Sequence, residues 1–300
     1  DAGKAIVFIT HKLKEVLGIA DRIAVLRRGA IVGEAIPGDV SESQLAEMMV
    51  GRPVELVVSK AEAEPEAPVL EVNDLMVLDD RNHPVVDEVS FTVRSGEIVG
   101  IAGVQGNGQT ELVESLTGLR EVLSGSVTLL GQTITDASPR DIHDRSVAHV
   151  PEDRQRSGLV LPFSITENMV LDSYYLEPFS KGVRMDWDEV ESAATRLVEE
   201  YDVRTPSIHV EVGDLSGGNQ QKVIVAREFS RDVKLIIAAQ PTRGVDVGSI
   251  EYIHERIVKE RDEGAAVLVV STELDEVMAL SDRILVMFRG RVIAERRPDE

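Results

Sequence analysis

Residues 103–112, GVQGNGQTEL, carry the glycines and the hydroxyl of a phosphate-binding loop. Gly106 and Gly108 permit backbone angles that turn several N–H groups toward one anion, and Thr110 offers a hydroxyl that can bind Mg²⁺. Gln109, however, stands where such a loop has its lysine. A unit charge pair at about 4 Å is worth about 4 kcal/mol at an effective dielectric of about 20, before desolvation is subtracted. The loop is therefore predicted to bind nucleotide weakly, and a plain strand-to-helix turn without a ligand is the alternative.

A second glycine-containing segment, LSGGNQQK at residues 215–222, has the composition of a helix start. Ser216 is a preferred N-cap residue, and Gly217 and Gly218 let the N-terminus of the helix approach another surface closely. The positive end of such a helix can hold a phosphate. A bare helix cap is the simpler interpretation of the same residues.

A third segment, KLIIAAQPTRGVD at residues 234–246, is an apolar strand followed by polar residues. In nucleotide hydrolases such a strand ends in two acids, one that binds Mg²⁺ and one that activates water. Ala239 and Gln240 occupy these places, and neither can accept a proton near neutral pH. Loss of a positioned general base costs roughly 10² to 10⁴ in rate.

Strands and helices alternate around these segments. EIVGIAG precedes the loop at residue 103 and a helix, TELVESLTG, follows it, while LIIAA and VLVV are continuous apolar runs. Alternating β and α segments with fully apolar strands predict an α/β fold with a buried, largely parallel sheet. Residues 151–213 are predicted to be mainly helical and irregular.

An internal repeat defines the predicted domains. Residues 1–34 match residues 262–295 without a gap at an offset of 261, including charged positions such as Asp21 and Asp282 or Arg28 and Arg289. Both copies are predicted to form strand, loop, short helix, strand, turn and strand. We therefore expect residues 1–52 to be the end of one domain, residues 53–68 to be a linker, and residues 69–300 to be a second, related domain. The linker prediction rests on SKAEAEPEAP, which lacks apolar periodicity.

Charge and composition limit the partners. The net charge is −21, which repels nucleic acid and anionic lipid, and the chain has no cysteine, which excludes disulfides and thiolate metal sites. Apolar runs are only strand-sized, far below the roughly 18 residues of a membrane span. Nucleic acid and anionic lipid are therefore not expected as direct partners.

Together these motifs resemble an ATP-binding cassette (ABC) ATPase of the double-cassette sugar and nucleoside importer type. LSGGNQQK resembles the ABC signature, PTRGVD resembles the segment with the D-loop aspartate, residues 150–169 resemble the Q-loop region, and ITHKL resembles the H-loop. The resemblance implies a P-loop NTPase fold with a mainly parallel sheet core, an antiparallel β subdomain and a helical signature subdomain. It implies that ATP and Mg²⁺ are the cofactors.

The resemblance also implies the roles of individual residues. Nucleotide-binding positions would be Gly103, Gly106, Asn107, Gly108, Gln109, Thr110, Glu152, Gln240 and Asp246, with Thr110 as the Mg²⁺ ligand. Catalytic positions would be His11, Ser216, Gly217 and Gly218. The repeat places Thr272 opposite His11, so the second cassette departs from the family pattern at four positions: Gln109, Ala239, Gln240 and Thr272.

These departures all affect one composite site. In this family two cassettes face each other head to tail, and each ATP is held by the P-loop of one cassette and the signature of the other. The resemblance therefore implies one working ATPase site, completed by Ser216–Gly218 and His11, and one degenerate site in the second cassette.

The implied protein is a peripheral ATPase on the cytoplasmic face of the cell membrane. Its partners would be transmembrane permease subunits and an extracytoplasmic solute-binding lipoprotein, and AAQPTRGVD resembles the nucleoside-importer branch more than the sugar branch. Two alternatives are a ribosome-associated tandem cassette, against which the short acidic linker argues, and a regulatory cassette that binds nucleotide without turnover.

Overall fold

The computed structural model describes residues 3–55 and 58–300. Within these residues the strands are β1 (Ile23–Arg27), β2 (Ala30–Ala35), β3 (Pro68–Leu78), β4 (Pro84–Arg94), β5 (Ile98–Ala102), β6 (Ser124–Leu129), β7 (Gln132–Thr133), β8 (Val147–Val150), β9 (Ser180–Lys181), β10 (Arg184–Met185), β11 (Leu235–Ala239), β12 (Ala266–Ser271), β13 (Arg283–Phe288) and β14 (Arg291–Arg296). The α-helices are α1 (Leu13–Ile19), α2 (Glu42–Val50), α3 (Gln109–Leu116), α4 (Pro139–His143), α5 (Ile165–Met169), α6 (Trp187–Glu200), α7 (Gly217–Phe229), α8 (Val247–Asp262) and α9 (Leu274–Leu280).

A six-stranded sheet with the order β14-β13-β5-β12-β11-β8 positions the predicted site. Its strands are parallel except for β14, which pairs with β13 in the antiparallel sense. Neighbouring side chains point to opposite faces, so Ile98 and Val267 pack with the helices of one layer while Val99 and Leu268 pack into the other core. The predicted parallel α/β core is confirmed.

A second sheet, with the order β4-β3-β6-β7, is antiparallel. Its apolar side chains form one continuous core with α3 and one face of the parallel sheet. The helices α5, α6 and α7 cover the opposite face together with α8. Residues 151–213 are mainly helical and irregular, as predicted, but they also contain the small β9–β10 hairpin and a π-helical turn at Arg154–Gly158, neither of which has a clear sequence pattern.

The repeat is structural as well as sequential. When 261 is added to each residue number, the bounds of α1 coincide with those of α9, and the bounds of β2 coincide with those of β14. Both hairpins turn through two residues with positive φ, and the β1–β2 pairing shifts register after Val25 just as the β13–β14 pairing shifts after Val286. Asp1, which is equivalent to Asp262 in the sequence, lies outside the described residues.

The prediction of a strand in the first repeat copy, before His11, is wrong. Residues 4–10 have no strand, and Ile6, Val7 and Ile9 are 84%, 92% and 96% exposed. The equivalent residues of the second copy form β12, which is buried between β5 and β11. The difference has a physical reason, because among the residues that the structure describes no strand lies beside residues 4–10 to form a ladder with them.

The predicted linker has no regular structure at residues 58–67, but it is attached to the second domain. The Nζ atom of Lys60 donates to the carbonyls of Leu280 and Ser281 and to the carboxylate of Asp282, at 2.6–2.7 Å. Leu56 and Val57 of the linker lie outside the described residues.

Candidate nucleotide site

The phosphate-binding loop lies between β5 and α3, as its sequence predicts. Gly106 and Gly108 have φ of 86° and 95°, and Gly108 is the N-cap of α3. Asn107 fixes the loop from outside, because its Oδ1 accepts from the N–H of Arg289 at 2.7 Å and its carbonyl accepts from the N–H of Gly290 at 3.1 Å. The backbone cradle is thus held by the turn between β13 and β14.

The side-chain amide of Gln109 binds to its own loop. The residue is 5% exposed, and its Nε2 donates to the carbonyl of Gly103 at 3.3 Å. The amide therefore bonds within the loop itself and brings no positive charge to it.

A cavity of about 430 Å³ opens beside the start of α3. It brings together six positions that sequence analysis marked as site or departure positions: Gln109, Thr110, Glu152, Ala239, Gln240 and Thr272. His149 also lines this cavity. Burial lowers the pKa of its imidazole to about 4, and the charge of Arg227 adds a smaller effect in the same direction. The His149 ring is therefore neutral near pH 7.

Thr110 is joined to Glu152 in this cavity. The hydroxyl of Thr110 donates to Oε2 of Glu152 at 3.0 Å, and Oε1 of Glu152 accepts from Nη1 of Arg243 at 2.7 Å. Arg243 was missed by sequence reasoning, because it lies 91 residues from Glu152 and only the fold shows the pair. A hydroxyl and a carboxylate side by side are oxygen donors of the kind that Mg²⁺ prefers.

Gln240 lies just after β11, where φ is 49°, and its Oε1 accepts from the N–H and the hydroxyl of Thr272 at 3.3 and 3.2 Å. Ala239 precedes it and is buried. Neither side chain of the Gln240–Thr272 pair is charged or can take a proton near pH 7. The end of β11 thus carries Ala239 and Gln240 in place of two acids.

The signature segment lies elsewhere. Ser216 caps α7 by accepting from the N–H of Asn219 at 3.4 Å, as predicted. A side chain at Gly218 would meet Oγ of Ser249 at 2.2 Å and Oδ2 of Asp246 at 2.6 Å. The glycine therefore allows α7 to approach the start of α8, where Asp246 is the N-cap.

A buried network connects the D-loop-like segment to α9. Glu276 accepts from the hydroxyl of Thr242 at 2.5 Å and lies 3.1 Å from Nε2 of His254. Burial opposes the ionisation of Glu276, but its hydrogen bonds to His254, Ser271 and Thr242 outweigh burial and hold its pKa below the ordinary value. Sequence reasoning missed this network, since glutamate in a short helix usually faces solvent.

The predicted site residues therefore fall into two groups. Around one cavity the fold brings together Gln109, Thr110, Glu152 and Gln240, with Gly103, Gly106, Asn107 and Gly108 in the loop beside it. The remaining residues do not line that cavity: His11, Ser216, Gly217, Gly218 and Asp246. A larger, more open groove of about 640 Å³ lies beside Arg283 and Glu97, but these two charges neutralise each other at 2.8 Å.

A family model described as "ABC transporter" matches residues 86–243, which is more than half of the chain and includes the loop, Glu152, the signature and Gln240. The chain belongs to this family. Solved structures agree with the fold of this chain: a nucleotide-free ATP-binding cassette from an ABC transporter superposes with a TM-score of 0.66 at 24% identity, over 77% of this chain and 92% of that one. A dimeric bacterial ABC transporter cassette gives a TM-score of 0.65 at 21% identity, over 76% and 98%.

Curated relatives of this ABC chain are more similar in sequence. It is 51% identical to the nucleoside import ATP-binding protein NupA of Lactococcus lactis, over 97% of this chain and 57% of the relative. It is 48% identical to the guanosine import ATP-binding protein NupO of Bacillus subtilis, over 99% and 58%. It is also 48% identical to the glucose import ATP-binding protein TsgD13 of Haloferax volcanii, over 100% and 55%. The ABC chain thus spans a little more than half the length of these relatives, whose names do not favour the ribosome-associated or regulatory alternatives.

Within its described residues, the ABC chain contains no helix that combines the length and the apolar character needed to cross a bilayer.

Proposed function

We propose that this chain is part of the ATP-binding subunit of an importer that couples ATP binding and hydrolysis to the uptake of nucleosides or simple sugars. The names of the similar proteins support import, and two of the three name a nucleoside. Nucleosides are therefore the preferred substrate class. The permease subunits and an extracytoplasmic solute-binding lipoprotein would select the solute.

The observation that carries the proposal is that the two repeat copies differ at the histidine position: only the leading copy has the histidine. The leading copy, residues 1–52, is taken as the end of a first cassette and keeps His11, whereas the second cassette, residues 69–300, has Thr272 at that position. The exposed apolar residues 6–9 support this division, since their counterparts are the buried core of β12. Residues 53–68 would connect the cassettes.

The site of the second cassette is proposed to bind nucleotide without hydrolysing it. Gln109 brings no charge to the loop, and the Gln240–Thr272 pair offers no base. The signature around Ser216–Gly218 keeps its sequence and does not line this cavity. It would complete the opposite ATP site together with His11 and the P-loop of the first cassette, which makes that site the hydrolytic one.

Mg²⁺ in the second cassette would be held by Thr110 and Glu152. The hydroxyl oxygen of Thr110 and Oε2 of Glu152 already lie 3.0 Å apart. Ala239 has no carboxylate to bind the metal, and Glu152, which lines the same cavity, would supply one. When bound, Mg²⁺ would neutralise phosphate charge. Arg243 holds the other oxygen of Glu152 and thereby fixes the orientation of the carboxylate.

The chain would reach the membrane only through the permease, at its cytoplasmic face. The segment at residues 158–168, between the π-helical turn and α5, would contact the permease. The net charge of −21 disfavours nucleic acid as a partner.

The test is ATP hydrolysis by the full-length double-cassette protein assembled with its permease. We expect Ser216→Ala to lower turnover by about 10² or more, since it removes a group that binds the transferred phosphate. Thr110→Ala should leave turnover within about two-fold, because its site does not hydrolyse ATP. Ser138→Ala, which also removes an N-cap serine, controls for the loss of a helix cap. Equal loss in Thr110→Ala and Ser216→Ala would contradict the division into one active and one degenerate site.

A further inference from the structure

Two ion pairs join residues that are equivalent in the repeat. Nζ of Lys12 lies 2.8 Å from Oε1 of Glu273, and Nζ of Lys14 lies 2.5 Å from Oδ2 of Asp275. Each pair is separated by 261 positions, which is the offset of the repeat. Each lysine therefore contacts the residue that takes its own place in the other copy.

Such a contact has a geometric meaning. In a two-fold arrangement only residues beside the axis touch their own equivalents. The local structure around both residues is also the same: the N–H of Lys12 donates to Oγ1 of Thr10, and the N–H of Glu273 donates to Oγ of Ser271, each at 3.1 Å. The starts of α1 and α9 thus contact each other at equivalent positions, as residues beside a two-fold axis do.

The charges on this axis differ between the copies. The leading copy presents two lysines and the second copy presents two acids at the same two positions. Two leading copies from different chains would place lysine against lysine, and two second copies would place acid against acid. Only the pairing of unlike copies gives attraction at both positions. Repulsion between like charges in the other pairings is a common source of binding specificity.

These pairs are too exposed to hold the copies together. The side chains of Lys12 and Glu273 are 46% and 55% exposed, and surface pairs of this kind add little stability. Apolar contacts supply the attraction instead, because Val247 at the start of α8 packs in one cluster with Leu13 and Leu45 of the leading segment. The charges are therefore suited to selecting the partner rather than to binding it.

We propose that residues 10–15 and 271–276 form a charge-coded pairing surface that selects the unlike repeat copy of the same chain and rejects like copies of other chains. Lys12 and Lys14 are the two basic positions of this surface, and Glu273 and Asp275 are the two acidic ones. The selection does not depend on ATP chemistry, so it stands or falls separately from the proposed function.

The first experiment uses a zero-length carbodiimide, which converts a contacting amine and carboxylate into an amide. Chains labelled with ¹⁴N and ¹⁵N are mixed, cross-linked and analysed by mass spectrometry. We expect the Lys12–Glu273 peptide to be found with both halves in the same isotope. A mixed-isotope peptide, or a cross-link yield at Lys12–Glu273 no higher than at Lys4, would overturn the proposal.

The second experiment measures the distance between the copies when the charges change. The native chain has no cysteine, so spin labels on Ile19→Cys and Met278→Cys report a single distance. K12E/K14E should broaden or lengthen the distribution, and K12E/K14D/E273K/D275K should restore the narrow native one. K4E/K181E, which changes the net charge equally at exposed positions, should have no effect. A narrow native distribution in K12E/K14E, or a folded four-fold variant that stays broad, would overturn the proposal.

Discussion

Oε1 of Gln240 accepts hydrogen bonds from both the N–H and the hydroxyl of Thr272. The two residues follow neighbouring parallel strands, β11 and β12, and Gln240 is also fixed by its own N–H, which donates to the carbonyl of Val270 at 2.7 Å. The amide oxygen of Gln240 and the hydroxyl of Thr272 form an uncharged hydrogen-bonded pair. These hydrogen bonds connect the end of β11 to the end of β12, although Ala239 and Gln240 replace the two acids expected at this position.

Thr272→Val tests whether this junction is only structural. The change removes the hydroxyl bond but leaves the backbone N–H to Gln240, so we expect a loss of about 0.5–1.5 kcal/mol in the free energy of unfolding, measured by urea denaturation. ATP hydrolysis by the full-length protein should be unchanged, whereas His11→Ala should lower it strongly. A fall of roughly 10² or more in Thr272→Val would assign a catalytic role to Thr272.

Gln109→Lys should restore the missing charge of the loop. The side chain can leave the carbonyl of Gly103 and reach a phosphate, so we expect the affinity of the chain for ADP to rise by about ten-fold or more, as measured by calorimetry. Gln109→Met has a similar length without charge and should give no gain. Equal affinities for all three proteins would show that this loop does not hold phosphate.

Glu152→Gln tests the proposed Mg²⁺ ligand. The amide keeps the size of the side chain and can accept from Thr110, but it lacks the anionic charge that attracts a divalent cation. We expect the gain in nucleotide affinity on adding Mg²⁺ to fall by about ten-fold, while affinity without the metal is unchanged or higher, because a carboxylate repels phosphate. Arg243→Gln should loosen the carboxylate and give a smaller loss. An unchanged Mg²⁺ effect in Glu152→Gln would remove Glu152 from the metal site.

The repeat and the parallel core could be predicted because each copy carries its own local pattern. Apolar strands, an N-cap serine and the two-residue turn at Arg289 and Gly290 are decided by nearby residues. Residues 4–10 contradict the pattern, since a strand also needs neighbours to pair with, and local sequence does not show whether they are present. A strand pattern in the local sequence is therefore not sufficient for a strand.

The candidate site was predictable only where one segment supplies the chemistry. The loop around Gln109 and the cap at Ser216 follow from short motifs. The Glu152–Arg243 and Thr242–Glu276 contacts join residues that are 91 and 34 positions apart, so they exist only after folding. The pairing of Lys12 with Glu273 was missed for the same reason, although its offset was already visible in the repeat.

Gly218→Ala separates the packing role of the signature from its proposed role toward nucleotide. The added methyl would lie 2.2 Å from Oγ of Ser249 and 2.6 Å from Oδ2 of Asp246, so we expect a loss of about 1–3 kcal/mol in the free energy of unfolding. Gly18→Ala is the matched control, because Gly18 also lies in a helix and has nothing within 4 Å of the added carbon. That variant should be as stable as the native chain or more so. Equal stability of Gly218→Ala and the native chain would show that α7 does not approach α8 so closely.

His143 should make the stability of the chain depend on pH. Its Nε2 lies 3.2 Å from Oδ2 of Asp172, and this hydrogen bond raises the pKa of His143 against the opposing effect of burial. Because the folded pKa is above the unfolded value of about 6.5, the protonated pair stabilises the fold fully below about pH 6.5 and this contribution is lost as the pH rises through the folded pKa. Asp172 stays ionised throughout this range, since its own pKa is lowered: burial raises the pKa of this carboxyl, but the hydrogen bond with His143 and the charge of Arg227 outweigh burial.

His143→Gln therefore should lower the urea midpoint at about pH 5.5, and the difference from the native chain should shrink by about pH 8.5. His209→Gln, at an exposed histidine, controls for the replacement of an imidazole by an amide. A difference between His143→Gln and the native chain that is the same at both pH values would mean that the ion pair with Asp172 does not form. A difference that grows as the pH rises would mean that the neutral form of His143 is the one that the fold stabilises.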